Sequence, residues 1–174
     1  MSEDELAKDI IRVQPSPPIK HHYTEVHYNH YGSRGVVDLV TVAGYGHTTT
    51  VRELKSEHAV EKSTGANEIL RQFNKQQSYF KKGVEDSRIP TEDVRHKLIF
   101  EATQKTIEHV VDNISLYGNP NQSGSVLIWP TEGDRLVAVV ADEQIQMSDD
   151  RAWLTEYLDP AIDAVNDTRG GGND

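Results

Sequence analysis

Cysteine is absent from the 174 residues, which excludes disulfides, thiolate nucleophiles and Cys-bound zinc. No run approaches the roughly 20 apolar residues that a membrane helix needs, so no membrane partner is expected. The acidic start MSEDELAKDI lacks the basic and apolar parts of a secretory signal, and a cytoplasmic location is expected. Positive charge is scarce: 18 Lys+Arg face 28 Asp+Glu, for a net charge of -10. A surface of that sign repels nucleic acid on average, so a polyanion would need a local basic patch or a metal ion to bind. Proteins of a high-salt cytoplasm carry a similar acidic excess, so composition also suggests a halophilic setting. No Walker-type glycine loop occurs, and Gly170-Gly171-Gly172 lies in a loose tail.

With 36% hydrophobic and 26% charged residues, the chain has enough apolar material for one ordinary domain. That domain is expected over 1–167, with a disordered tail over 168–174. Residues 1–12 suit a short helix, with Ser2 as N-cap and Glu5 at the capping-box spacing. Pro15 to Pro18 then force an extended break. HHYTEVHYNHY (21–31), VVDLVTV (36–42) and TTTVRELKSE (48–57) read as three strands joined by turns at 32–35 and 43–47. In 66–83, Ile69, Leu70, Phe73, Gln77 and Phe80 recur near a 3.6 spacing, which predicts a helix ended by Gly83. VRHKLIFEA (94–102) reads either way, with a strand start at Lys97 to Phe100. A helix over 104–118, a β-pair from SVLIWP (125–130) and DRLVAVVA (134–141) turning at Thr131-Glu132-Gly133, and a terminal helix over 150–165 complete one α/β domain.

The chemistry sits in the second and third strands. Asp38 lies inside an apolar strand, where an uncompensated charge costs several kcal/mol. Glu53-Leu54-Lys55 ends the next strand. If the 43–47 turn is a symmetric hairpin centred near Tyr45–Gly46, Asp38 falls opposite Glu53, and alternation puts Lys55 on the same face. If the 32–35 turn is equally tight, His27 faces Asp38 across the other ladder and Glu25 shares that face. A one-residue slip would scatter the group. Two opposed carboxylates repel, and a divalent cation between them removes the repulsion. Hard oxygen ligands without sulfur favour magnesium or manganese. Such an ion lowers the pKa of a bound water, and Lys55 could position that water or stabilise charge on a phosphate. These are the parts of a metal-assisted phosphodiester hydrolase.

GVVDLV (35–40), a turn and TTTVRELK (48–55) together resemble the PD-(D/E)xK nuclease superfamily, also called restriction-endonuclease-like. The resemblance implies a mixed sheet of β-meander, helix, strand, helix and β-hairpin flanked by helices. It also implies a magnesium-dependent deoxyribonuclease acting on DNA, in which Asp38, Glu53 and the Leu54 carbonyl hold the metal and Lys55 acts on the water. An upstream Glu, for which Glu25 is the candidate, and a helix Gln, either Gln72 or Gln76, would support them. Val37 stands where the family motif has Pro, and Gln76 is followed four residues later by Phe80 where one branch has Tyr. Relatives that cut both strands commonly pair, which leaves a homodimer open. A chain of this composition is expected to hold about 1.4 carboxylate-x-Lys triplets by chance, so the triplet discriminates only through its context.

Other features read more plainly. His21, His22, His27, His30 and His47 crowd the first hairpin, but alternation puts His21 and His27 on one face and His22 and His30 on the other, as solvated strand residues. Arg71, Lys75, Lys81 and Lys82 give the 66–83 helix a basic side, either a solvated face or a set of phosphate contacts. Trp129 and Trp153 read as packing residues. Two other functional readings stand beside the nuclease. One is a non-catalytic nucleic-acid- or protein-binding module on the same fold; the other is an α/β interaction protein with Asp38 or Glu53 salt-bridged to Lys55.

Overall fold

A computed structural model describes residues 2–44, 48–119, 121, 123–129 and the backbone of 138–139. The elements are α1 (Glu3–Arg12), β1 (Lys20–His30), β2 (Ser33–Ala43), β3 (Thr48–Lys55), α2 (Glu57–Lys62) and α3 (Ala66–Glu85), then β4 (Asp93–Glu101), α4 (Gln104–Asp112), α5 (Ile114–Tyr117), β5 (Ser125–Trp129) and β6 (Ala138–Val139). All six strands form one sheet in chain order. β1–β2, β2–β3 and β5–β6 pair antiparallel. β3–β4 and β4–β5 pair parallel, which requires the long helical connections between them. Residues 45–47 of the second turn, the 131–133 turn, the 150–165 helix, the tail and Trp153 lie outside the described residues.

The parallel centre of the sheet is buried on both faces, as such sheets must be. Strand alternation sorts its side chains. Leu98 and Phe100 of β4 and Val126 and Ile128 of β5 join Ile69, Leu70 and Phe73 of α3 and Ile107 and Val110 of α4 in one core. Ile99, Leu127 and Trp129, which alternate with them in sequence, point the other way with Leu39 and Leu54 onto Leu6, Ala7 and Ile10 of α1. Each fully buried Leu or Ile contributes about 1.5–3 kcal/mol. Burial of three α1 side chains therefore holds that ten-residue helix, which would be marginal alone. Its start is held by a capping box: the Ser2 hydroxyl accepts from the Glu5 amide at 3.2 Å, and the Glu5 carboxylate accepts from the Ser2 amide at 3.0 Å. Trp129 completes the contact by donating its indole N–H to Asp9 at 2.9 Å.

Several boundaries differ from expectation. The first turn falls at Tyr31–Gly32, and Ser33, Arg34 and Gly35 already belong to β2. Both turn residues have left-handed backbones, φ 51° and 87°, the two-residue turn that matches strand twist. Helix α3 runs through Gly83 to Glu85, and the glycine instead admits Ile89, whose Cδ1 would lie 2.4 Å from an added Cβ. The 104–118 helix breaks at Asn113 into α4 and α5. Short α2, which buries no residue, carries no periodicity to read.

The β1–β2 hairpin also swaps faces midway. Val37 and Val40 join the same cluster, with Tyr28, Val51 and Phe80, although residues three apart in a regular strand point to opposite faces. The swap falls where Glu25 and Asp38 would pair: the ladder steps from Thr24↔Leu39 to Val26↔Val37 across them, and Glu25 has φ 51°. This separates two histidines expected on one face. His22 bonds Thr41 Oγ1 at 2.9 Å and the Pro15 carbonyl at 3.0 Å, whereas His30 lies edge-on to Tyr79 of α3.

His96, in β4 against Phe80, has a buried Nδ1 without a partner among the described residues. Burial pushes its pKa from 6.5 down to about 4. Below pH 6.5 the unfolded chain therefore binds the proton that the fold refuses, so stability is present above that pH and is lost as pH falls toward about 4. Thermal melts across this window should show a smaller loss for His96→Leu than for the natural chain; identical slopes would remove His96 as the cause.

Candidate metal-binding site at the end of the β2–β3 ladder

The β2–β3 ladder runs from Val42↔Thr49 to Leu39↔Arg52, and its next step brings Asp38 to Glu53. The contact made there is with the main chain: the Leu54 amide donates to Asp38 Oδ2 at 2.8 Å. In an extended strand the N–H and C=O of one residue face the same edge, so the Leu54 carbonyl faces Asp38 as well. Leu54's side chain turns away into the α1 core. Glu53 and, by alternation, Lys55 take the opposite face, under α3.

Glu53 is 6% exposed. Its roof is Gln76, which α3 places on its buried stripe between Phe73 and Phe80 and which donates its side-chain amide to the Glu53 carboxylate. Burial pushes the Glu53 carboxyl well above the usual carboxylate range. A hydrogen bond shared with Asp38 and repulsion from that carboxylate push it the same way, and Lys55 opposes them through space. Glu3, at the start of α1, adds a smaller push and accepts from the Ser56 hydroxyl at 3.3 Å. Tyr28 also registers Glu53: burial, then that negative charge, raises its phenol to about 12.

The structure thus gathers Asp38, Glu53, the Leu54 main chain and Gln76, with half-buried Lys55 on Glu53's face. Among the described residues Lys55 makes no close ion pair with either carboxylate, and it acts on Glu53 through space. Three expected neighbours are not gathered. His27 pairs with Val36 rather than Asp38, because the turn lies earlier than 32–35. Glu25 holds the ladder position across from Asp38 but is exposed, at the left-handed residue where the hairpin swaps faces. Gln72 donates to Glu68 one turn earlier, at 3.2 Å. In the helix stripe Gln76 takes the place expected of Gln77, which bonds the Ser123 carbonyl at 3.1 Å. Glu3 was legible only as a first-turn acid of α1; nothing in its spacing ties it to Glu53.

The basic side of α3 is partly neutralised. Arg71 is held bidentate by Glu68 at 2.6 and 2.9 Å, and Lys82 pairs with Asp86 at 3.6 Å. Lys75 instead donates to Ser33 Oγ and the Arg34 carbonyl and lies 5.6 Å over the Tyr28 ring. Among the described residues no three His, Asp or Glu side chains converge as metal ligands. A cation here would rest on two carboxylates and a main-chain carbonyl, with water completing its shell. The Gln76 Oε1, buried without a partner among the described residues, is an acceptor suited to such a water, and the hard donor set suits magnesium or manganese.

Burying Glu53 beside Asp38 opposes folding. Glu53→Gln keeps an acceptor for Gln76 and supplies a donor for Asp38, so in chelator at neutral pH it should raise the stability of the fold by about 1 kcal/mol. A lower melting temperature for this variant would contradict the electrostatic account of the site.

No curated protein and no solved structure matches the chain. The family model for the PD-(D/E)XK nuclease superfamily domain matches residues 1–159. That superfamily consists generally of nucleases, which typically use divalent metals. The mixed sheet flanked by helices is consistent with its restriction-endonuclease-like α/β fold. That match spans nearly the whole of the 174 residues, and the chain belongs to the PD-(D/E)XK nuclease superfamily.

Proposed function

We propose that this chain is a metal-dependent deoxyribonuclease, hydrolysing DNA phosphodiester bonds with magnesium or manganese as its ion. The observation that carries the reading is the meeting of Asp38 and Glu53 beside the main chain of Leu54. A buried carboxyl beside a second, half-buried carboxylate opposes folding, and a divalent cation is a partner that both would fit.

Asp38, Glu53 and the Leu54 carbonyl would hold the ion. When bound, it supplies Lewis acidity and a water of lowered pKa. The chain's own groups do the rest. The Leu54 amide fixes the orientation of Asp38 by its 2.8 Å hydrogen bond. Gln76 fixes Glu53 from above and keeps Oε1 available to a water. Lys55 carries its positive charge on the face where a phosphate would lie; it donates to the attacking water or to the phosphate oxygens as charge builds on them. The buried, water-poor floor beneath β3 strengthens each of these interactions.

The full chain with magnesium should cut DNA, and EDTA should stop it. Lys55→Ala should lower the rate on the order of 10²–10⁴-fold while its melting temperature stays that of the natural chain. Undiminished cutting by that variant would remove Lys55 from the mechanism. Neither magnesium binding nor cutting in the natural chain would favour the non-catalytic binding module on the same fold.

A further inference from the structure

A cleft of about 470 Å³ opens between the tip of the β1–β2 hairpin and α3. Its walls are Tyr28, Tyr79, His27, Asn29, Arg34 and Arg88. In a chain of net charge -10, the described residues that line it include two arginines and no carboxylate. Arg88 has an exposed ion pair with Asp86 at 3.5 Å, and such pairs are worth little in water. Arg34 is exposed.

Rings pave the floor and continue outward. Tyr28 and Tyr79 stack tilted at 4.9 Å, with Lys75 over the Tyr28 ring. Gly35 makes this possible, because a Cβ there would lie 2.3 Å from the Tyr28 ring. His30 meets Tyr79 edge-on at 6.3 Å and Tyr31 at 4.6 Å. Tyr31 ends the row, 81% exposed at a left-handed turn position, where Gly or Asn is the usual residue. The row adjoins the carboxylates: Tyr79 follows Gln76 by one helical turn, and Tyr28 lies within the field of Glu53.

Aromatic faces bordered by arginine and lysine, with no acid in the lining and Asp86 only in an exposed pair with Arg88, are what unpaired nucleotides recognise, bases by stacking and phosphates by charge. Bases inside a duplex are stacked on one another and do not present their faces. We propose that this cleft binds an unpaired nucleotide of the substrate strand, its base against Tyr79 and its phosphate on Arg34 and Arg88, so that the protein engages single-stranded DNA in preference to continuous duplex. The inference rests on the nuclease reading for its substrate, but its test is a binding measurement that needs no cleavage.

Fluorescence anisotropy of the full chain in EDTA, with a labelled short oligothymidylate, a duplex of equal length and thymidine monophosphate, separates the sources of the ligand. The single strand should bind about tenfold or more tighter than either of the others. Tyr79→Leu and Arg88→Ala should each weaken single-strand binding by about tenfold, whereas Tyr79→Phe should retain it; melts of each variant report whether it folds. Equal affinity for strand and duplex, equal affinity for the mononucleotide, or unchanged binding in a folded Tyr79→Leu would overturn the proposal. These outcomes are independent of cutting by Lys55→Ala, so this inference and the nuclease reading can fail separately.

Discussion

Glu53 is the constraint around which the rest of the structure is arranged. A carboxyl 6% exposed, beside a second carboxylate, costs free energy at neutral pH, and the surroundings relieve only part of that cost. Gln76 donates to it, Lys55 attracts it through space, and the Leu54 amide occupies Asp38. None of these neutralises the pair. Large burial energies elsewhere, from the α1 core on one face and the α3–α4 core on the other, allow the chain to keep a locally unfavourable arrangement. Strain of this kind persists where surrounding structure over-determines it, and such places are commonly functional.

The same architecture explains how residues distant in sequence meet there. The antiparallel β2–β3 ladder sets Asp38 against the Glu53–Lys55 triplet, and the parallel β3–β4 pairing places β3 in mid-sheet with Val51 to Leu54 buried. Helix α3 then crosses the face that Glu53 occupies. One side of it delivers Gln76 to the carboxylates, while Lys75 and Tyr79, flanking Gln76 in sequence, reach Tyr28. Site and cleft are thus two parts of one helix-on-sheet contact, joined through Tyr28.

Much of this was legible in the sequence. The three-strand meander, the α3 stripe and the Ser2–Glu5 cap follow from periodicity and turn chemistry, and the approach of Asp38 to Glu53 follows from symmetry about Tyr45–Gly46. The first hairpin was less so. Its turn uses Tyr31 in a left-handed conformation, which no propensity announces, and the resulting shift exchanged His27 for Glu25 across from Asp38. The face swap at Glu25 has no glycine or proline to mark it. Gln72 and Gln76 share a helix face, and only the packing of Phe73 and Phe80 selects the second. Glu3 comes near Glu53 by the docking of a whole helix, a tertiary event without a local signal.

The central claim is that Asp38, Glu53 and the Leu54 carbonyl form one cation site. Anomalous diffraction from crystals soaked in manganese tests it most directly. The account predicts a single strong peak bonded to both carboxylates and to that carbonyl, lost in crystals of Asp38→Ala. A peak elsewhere, or none with both side chains ordered, would contradict it.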